Sequence, residues 1–333
     1  MPSAFELVSA HADNPSAFLA LNSGNEFFLD ERHDGVCAFR PAGRHLLQLG
    51  GPFASDGDRA GLLDAFLERA AVTKRRVIAV QLQAADAQLY ASRGFTVNQI
   101  GASYAVDLAR FTLRGSPFVR LRNKISRARR AGVEVAEVDP AGASGASGAS
   151  GGSGELDLID REWLRGKGKH TKELRFLVGE RGGPEQKHQR VFCGSVDGRM
   201  VGYVCYSPAF GCRPGWLHDL SRRRTDAPPG TMELINSTAI ERMTGEGDKW
   251  LHFGFTPFVG LDPALEVPGA SGTVARVLRF LSQHGERVYP AAAQLEYKEK
   301  WAPHVVLPEY IAFQGKRVRP GALWRLGRET NAF

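Results

Sequence analysis

Apolar positions recur along the chain with two periods. From Asn25 onward, short runs that alternate or are wholly apolar (EFFLDE, GVCAFRP, RHLLQLG) read as strands. A glycine-proline turn follows, then GDRAGLLDAFLERAAVT with apolar residues at helical spacing, then RVIAVQLQ as a buried strand. ADAQLYASRGF predicts a short helix ending at Gly94, and TVNQIGASYAVDL a strand pair. After the strand VEVAEV the pattern stops at Asp139-Pro140 and AGASGASGASGGSG, where nothing apolar offsets the entropy of ordering, so 139–154 is expected to be a flexible linker. Alternation resumes at Leu156. A helix runs through Asp160 and Trp163, the strands RVFCGSV and RMVGYVCYSPA flank the turn Asp197-Gly198, and the strand PGWLHDLSRR follows. The turn and helix TDAPPGTMELINSTAIERM and the strand DKWLHFGFTPF come next. The order strand, glycine-proline turn, helix, strand therefore occurs twice, at 44–82 and 215–255, which predicts two copies of one unit in an α/β (α+β) fold.

Between the two copies lies RFTLRGSPFVRLRNKISRARRAG. Ser116-Pro117 is a helix start and Gly132 a stop, so a helix is expected over about 117–131. Phe118, Leu121, Ile125 and Ala128 make one apolar stripe. Arg120, Lys124, Arg127 and Arg130 fall on the other side, and Arg122 and Arg129 flank the stripe. Six bases without an acid repel one another on a helix, whereas a face that is merely solvated mixes signs. The helix therefore reads as a polyanion-binding surface, with a solvated face as the plain alternative. The expected divisions are 1–115, the basic helix and strand at 116–138, the linker at 139–154, and a catalytic unit at 155–333.

Composition narrows this only in part. Lys and Arg outnumber Asp and Glu by 43 to 36, and the pI is near 9.4, which favours an anionic partner, nucleic acid or lipid surface. No run approaches the length of a spanning helix, and the opening MPSAFELVSAHADN has no basic start or apolar run, so a cytoplasmic setting is expected. Cys37, Cys193, Cys205 and Cys212 form no CxxC pair and have no histidine at ligand spacing, so neither a metal nor a disulfide framework is expected.

In an open α/β sheet, ligands collect at the carboxyl ends of strands. Those ends carry Asp219, Ser221, Arg222, Arg223, Arg224, and then Gly254 and Thr256. Arginines there suit phosphate or carboxylate, though Asp219 with Arg222 or Arg223 equally reads as a structural ion pair. Glu233, near a helix start, can hold a substrate ammonium. His218 and His252 close two Trp-Leu-His triplets expected on neighbouring strands; either is a candidate base, or a hydrogen-bonded core residue. AAQLEYKEKWAPH places Lys298 and Lys300 beside Trp301, as an oxyanion or phosphate partner or as an exposed helix end.

LYASRGF at 89–95 resembles the late helix-to-strand corner of acetyltransferase-like (GNAT) domains. Four longer pieces, in order, resemble the catalytic domain of lysyl-phosphatidylglycerol synthases: GASYAVDLARFTLRGSPFVRLRNKISRARRAG, WLHDLSRRRTDAPPGTMELI, FGFTPFVGL, and LEYKEKWAP with PEYIAF. The likeness covers most of 25–313. It implies a tandem pair of GNAT-like folds that takes an aminoacyl group from aminoacyl-tRNA, as co-substrate and without another cofactor, to an acceptor. It further implies that Arg120, Arg122, Lys124, Arg127, Arg129 and Arg130 face tRNA. Asp219, Arg222, Arg223, Glu233, Lys298 and Lys300 would line the transfer site, with Thr256 beside the substrate, Lys298, Lys300 and Arg222 supplying charge, and His218 or His252 as base.

The chain also departs from the family. The bilayer-spanning half has no counterpart in this sequence, and the closing Trp-Glu-Pro-Arg-Tyr motif becomes Leu307-Pro308-Glu309-Tyr310 at its end. A small amine or hydroxyl compound is therefore the expected acceptor, with a lipid reached from the membrane surface as the alternative. Two rivals are a CoA-dependent acetyltransferase and a non-catalytic RNA-binding protein. The first lacks its pyrophosphate loop, since neither RRRTDAPPGT nor LGGPFASDG fits Arg/Gln-x-x-Gly-x-Gly/Ala.

Overall fold

The computed structural model describes residues 2–140, 152–166, 176–284 and 291–329. The chain folds as two compact units, the first made of Met1–Ala105, Ala209–Arg213 and Phe253–Phe333, the second of Val106–Pro208 and Pro214–His252.

The first unit opens with a helix that the hydrophobic pattern did not announce, α1 (Ala4–His11), closed by a reciprocal cap: Glu6 N–H donates to Ser3 Oγ at 3.2 Å and Ser3 N–H to Glu6 Oε2 at 2.7 Å. Its strands are β1 (Glu26–Asp30), β2 (His33–Ala42), β3 (His45–Leu49), β4 (Phe53–Ala54), β5 (Arg76–Leu82), β6 (Phe95–Asp107), part of β11 (Trp250–Pro257) and β12 (Val305–Gln314). Its sheet order is β1-β2-β3-β5-β12-β6-β11, with β4 paired to β2. Helices α2 (Arg59–Val72) and α3 (Ala84–Ser92) cover a core that includes Leu62, Phe66, Val77, Leu82 and Tyr90. The helices α7 (Gly272–His284), α8 (Ala291–Glu299) and α9 (Pro320–Glu329) complete it.

The second unit holds α4 (Val119–Arg130), β7 (Glu134–Val138), α5 (Gly152–Gly166), β8 (Arg190–Val196), β9 (Arg199–Ala209), β10 (Gly215–Arg223) and α6 (Thr231–Gly245). The strand order, from Trp250–His252 of β11, is β11-β10-β9-β8-β7. Leu156, Ile159, Val191, Tyr203 and Cys205 form a core under α5. The turn between β8 and β9 is the expected one, with both Asp197 and Gly198 at positive φ, 48° and 78°.

Each unit has a parallel strand pair joined through a helix. β3 and β5 pair in parallel across α2, and β10 and β11 pair in parallel across α6. A parallel pair needs such a crossover, so the order of elements and the pairing agree.

Three expectations need restating. TVNQIGASYAVDL lies in one thirteen-residue strand, β6, up to Asp107, and is not a pair. Gly101 inside it is a point of close approach, where a Cβ would stand 2.2 Å from the Thr256 carbonyl oxygen. Of the expected linker 139–154, residues 141–151 lie outside the described residues, and 152–154 already belong to α5. The stretch from Phe253 onward belongs with the N-terminal residues, whereas 155–333 were expected to make one unit. The reason is non-local pairing, since β12 lies between β5 and β6 and runs antiparallel to both.

Candidate functional site

The basic helix forms as its spacing predicts. Leu121, Ile125 and Ala128 are buried, while Arg120, Lys124, Arg127, Arg129 and Arg130 are exposed. Burying leucine and isoleucine stabilises by about 1.5–3 kcal/mol each, enough to hold a helix whose charges repel. The six cations are not equivalent. Arg122 turns back and donates to the carbonyls of Leu113 and Gly115. Lys124 reaches Glu233 Oε1 at 3.1 Å, and Arg129 comes within 4.0 Å of Glu241 on α6.

The Lys124 contact follows from the turn before α6. Gly230 has φ +92°, and a Cβ there would stand 2.0 Å from the Lys124 carbonyl oxygen. Only glycine lets the chain turn onto α4 at that point, which sets Glu233 in the first turn of α6, only 7% exposed, beside the Lys124 ammonium. Glu233, expected to hold a substrate ammonium, here lies against an ammonium of the chain itself.

β10 carries Asp219 and the arginines. Asp219 Oδ2 accepts from Ser207 Oγ at 2.6 Å, and Oδ1 accepts the Gly179 N–H at 2.8 Å. Desolvation raises its pKa to about 6, against the lowering effect of those two donors. A Cβ on Gly179 would fall 2.0 Å from the carboxylate, so the glycine is what allows the loop to reach it. Ser207 is held in turn by Gln189 Nε2 at 3.1 Å. Arg222 is buried, its guanidinium 4.1 Å from the centre of the Trp163 ring and 3.6 Å from Asp160. Arg224 is buried against Glu162, and Arg223 is exposed. In this unit Arg222 pairs with α5 and not with Asp219.

His218 and His252 do lie on neighbouring strands, but the triplets are out of phase. Leu217 pairs with His252 and Trp216 with Leu251, so the two imidazoles project from opposite faces. His252 is buried beside the Trp250 ring, and the His218 ring stands edge-on to Tyr206 at 5.6 Å.

The lysines belong to the first unit. On α8, Lys298 is the one side chain that is buried. Its Nζ donates to Gly254 O at 2.7 Å, Phe255 O at 3.1 Å and Thr256 Oγ1 at 2.6 Å, with the Tyr104 ring 5.7 Å away. Thr256 is fully buried as its partner. Lys300 instead lies over Tyr297, 5.5 Å from its ring centre.

Glu309 on β12 is also fully buried. It accepts from Ser103 Oγ, while its Oε2 has no hydrogen-bond partner among the described residues. Burial pushes Lys298 down to about 7 and Glu309 up to about 7, and each partly counters the other through charge. A lysine with two carbonyl acceptors and one hydroxyl fits either state: as an amine it donates twice and accepts from Thr256. This arrangement can take up or release a proton near neutrality. Glu309 and Ser103 were not picked out as site residues from the sequence; the available signal was an acid set in the otherwise apolar strand EYIAF.

Among the described residues there is no group of three metal-ligating side chains. None of the described helices is long and apolar enough to cross a membrane.

Residues 5–313 match the family model described as phosphatidylglycerol lysyltransferase, C-terminal. The chain is 25% identical over 307 residues to a phosphatidylglycerol lysyltransferase of Bacillus subtilis (strain 168), covering 91% of this chain and 34% of that one, so it spans about a third of that relative's length. The structure of L-PGS from Bacillus licheniformis superposes with a TM-score of 0.76 at 21% identity, over 98% of this chain and 96% of the other. The C-terminal domain of a protein named as a lysylphosphatidylglycerol synthetase, from Agrobacterium fabrum, does so with 0.76 at 22%, over 98% and 94%.

Proposed function

The chain belongs to the phosphatidylglycerol lysyltransferase C-terminal family, and from that premise we propose that it transfers an aminoacyl group from aminoacyl-tRNA to a hydroxyl of phosphatidylglycerol or a closely related anionic lipid. The observation that carries this reading is the match over 5–313, which takes in both the basic helix and the Lys298 segment. The small amine or hydroxyl acceptor expected from the sequence has none of the relatives reported above behind it, so the lipid acceptor takes first place.

An aminoacyl-tRNA ester is already activated. The protein has to position the acceptor hydroxyl, accept its proton as the new ester forms, and return a proton to the departing ribose oxygen. Lys298, with Thr256 on its Nζ and Glu309 close enough to sense its charge, is proposed as the group that handles this proton. It is not proposed as a fixed cation. Separately, Asp219, ionised above about pH 6, is proposed as an ammonium-binding group within the second unit. Arg120, Arg127 and Arg130 are proposed to bind the tRNA backbone from the exposed face of α4. A tandem GNAT-like organisation is proposed as well, supported by the two parallel crossovers, one around α2 and one around α6.

The test is incubation with labelled aminoacyl-tRNA and detergent-dispersed phosphatidylglycerol, followed by organic extraction. Label in the lipid phase is expected. Label found only as free amino acid, or in water-soluble adducts made from a cell extract, would remove the lipid acceptor.

A further inference from the structure

The first unit contains a second charged feature, built from none of the residues given a role above. The N-terminal ends of the parallel strands β3 and β5 and the C-terminal end of the antiparallel β12 meet at one edge of its sheet, where His45 pairs with Arg76 in the register. There a shallow, open cleft is lined by His45, Arg76, Arg317 and Arg319 on an apolar floor. No carboxylate lines it. His45 is held below its ordinary pKa by burial first and then by Arg325, Arg76 and Arg319, and its Nδ1 is buried with no hydrogen-bond partner among the described residues. Arg325 has Glu329 at 3.9 Å and Arg76 donates to the Gln314 carbonyl, but no acid among the described residues lines the cleft itself, and cations gathered there repel one another, a cost that an anion would relieve.

α9 forms one wall, with Ala322 in the cleft. The next two residues point away, Leu323 at 44% and Trp324 at 54% exposure. The guanidinium groups of Arg325 and Arg328 lie 5.3 and 5.6 Å from the centre of the Trp324 ring. Exposed tryptophan and leucine set among arginines suit the headgroup region of a bilayer, where the rings enter the interface and the cations meet phosphates. A nucleic acid would use the cations and the ring, but the exposed leucine would add nothing to it.

We propose that His45, Arg76, Arg317 and Arg319 form a phosphate-binding cleft which, with Leu323 and Trp324, docks this unit on an anionic phospholipid surface. The inference rests on the lipid-acceptor reading above, since a water-soluble acceptor would need no such surface.

The test uses the full chain and vesicles of phosphatidylserine in phosphatidylcholine, an anionic surface that offers no phosphatidylglycerol. Wild-type protein is expected to co-sediment with these and not with pure phosphatidylcholine. Arg317→Gln together with Arg319→Gln is expected to weaken binding about thirty-fold. Trp324→Ser should also weaken it, and all variants should keep their transfer rate onto detergent-dispersed phosphatidylglycerol. Equal vesicle binding by wild type and variants overturns the inference while leaving the transfer reading intact. Unchanged vesicle binding with lost tRNA binding, or loss of wild-type vesicle binding to inorganic phosphate at matched ionic strength, also overturns it, in favour of RNA or a small phosphate. If the double variant unfolds, Trp324→Ser decides, because that side chain is exposed. If wild type makes no lipid-linked product, the acceptor reading fails, and the vesicle comparison still decides docking.

Discussion

Replacing Lys298 by methionine tests the proton-handling role through stability as well as activity. The side chain keeps nearly the same shape, loses its charge, and leaves Gly254 O, Phe255 O and Thr256 Oγ1 without their donor. A fall in pKa from 10.5 to about 7 corresponds to about 5 kcal/mol of cost for keeping the ammonium buried, at ~1.4 kcal/mol per tenfold. That is an upper bound, because three acceptors offset part of the desolvation. Losing those hydrogen bonds costs about 1–3 kcal/mol for each acceptor left unsatisfied, so the net change at pH 7 should lie within a few kcal/mol of zero. The pH dependence is more telling. A lysine with a depressed folded pKa binds fewer protons in the folded than in the unfolded state between about 7 and 10.5, so its penalty is full below about 7 and fades as pH rises. Wild type should therefore gain about 1.5–2 kcal/mol relative to Lys298→Met between pH 7 and 8.5, read from urea unfolding of both proteins. Aminoacyl transfer should fall by at least about a hundredfold in the variant while tRNA binding is retained. Parallel stability profiles would show an ordinary ammonium fully compensated by its acceptors and refute the argument. So would a variant that transfers at the wild-type rate.

Other outcomes follow from the same geometry. Glu309→Gln should stabilise the protein at pH 8 and not at pH 5, because a raised carboxyl pKa places its penalty above about 7 and removes it below the unfolded value; urea midpoints at the two pH values check this. Asp219→Asn should abolish a rise in kcat/KM centred near pH 6, measured with a fixed aminoacyl-tRNA. Gly179→Ala should cost about 1–3 kcal/mol in thermal unfolding, since its methyl would occupy the position of the Asp219 carboxylate. Charge reversal at Arg120, Arg127 and Arg130 should raise the KM for aminoacyl-tRNA at least tenfold and flatten its salt dependence without lowering the unfolding midpoint. Lys124→Glu should lower that midpoint as well, because it sets a second carboxylate against Glu233.

The periodic segments were legible from local physics alone. Helical spacing placed Leu121, Ile125 and Ala128 under α4, and the two glycine-proline turns marked both crossovers. Turn chemistry placed the hairpin at Asp197-Gly198. TVNQIGASYAVDL reads locally as a strand pair, and only the Thr256 backbone packed against Gly101 shows why one continuous strand carries a glycine there. For the candidate site, residue types pointed to Lys298 and Asp219 but not to their states. The donors that grip Asp219 come from positions 179 and 207, and the partners of Lys298 from positions 254 to 256.

What the sequence determined by itself is the set of elements, the exposed basic face of α4, and an ordered set of motifs that identifies the family. Spacing and motif are properties of neighbours along the chain, and they survive without any knowledge of the fold. The tertiary structure decided which cations are spoken for, which acid is buried beside Lys298, and that β12 returns to lie between β5 and β6. Those outcomes depend on pairings across more than 200 residues, such as Ser103 with Glu309, and on desolvation, which exists only once the surrounding chain has closed over the group.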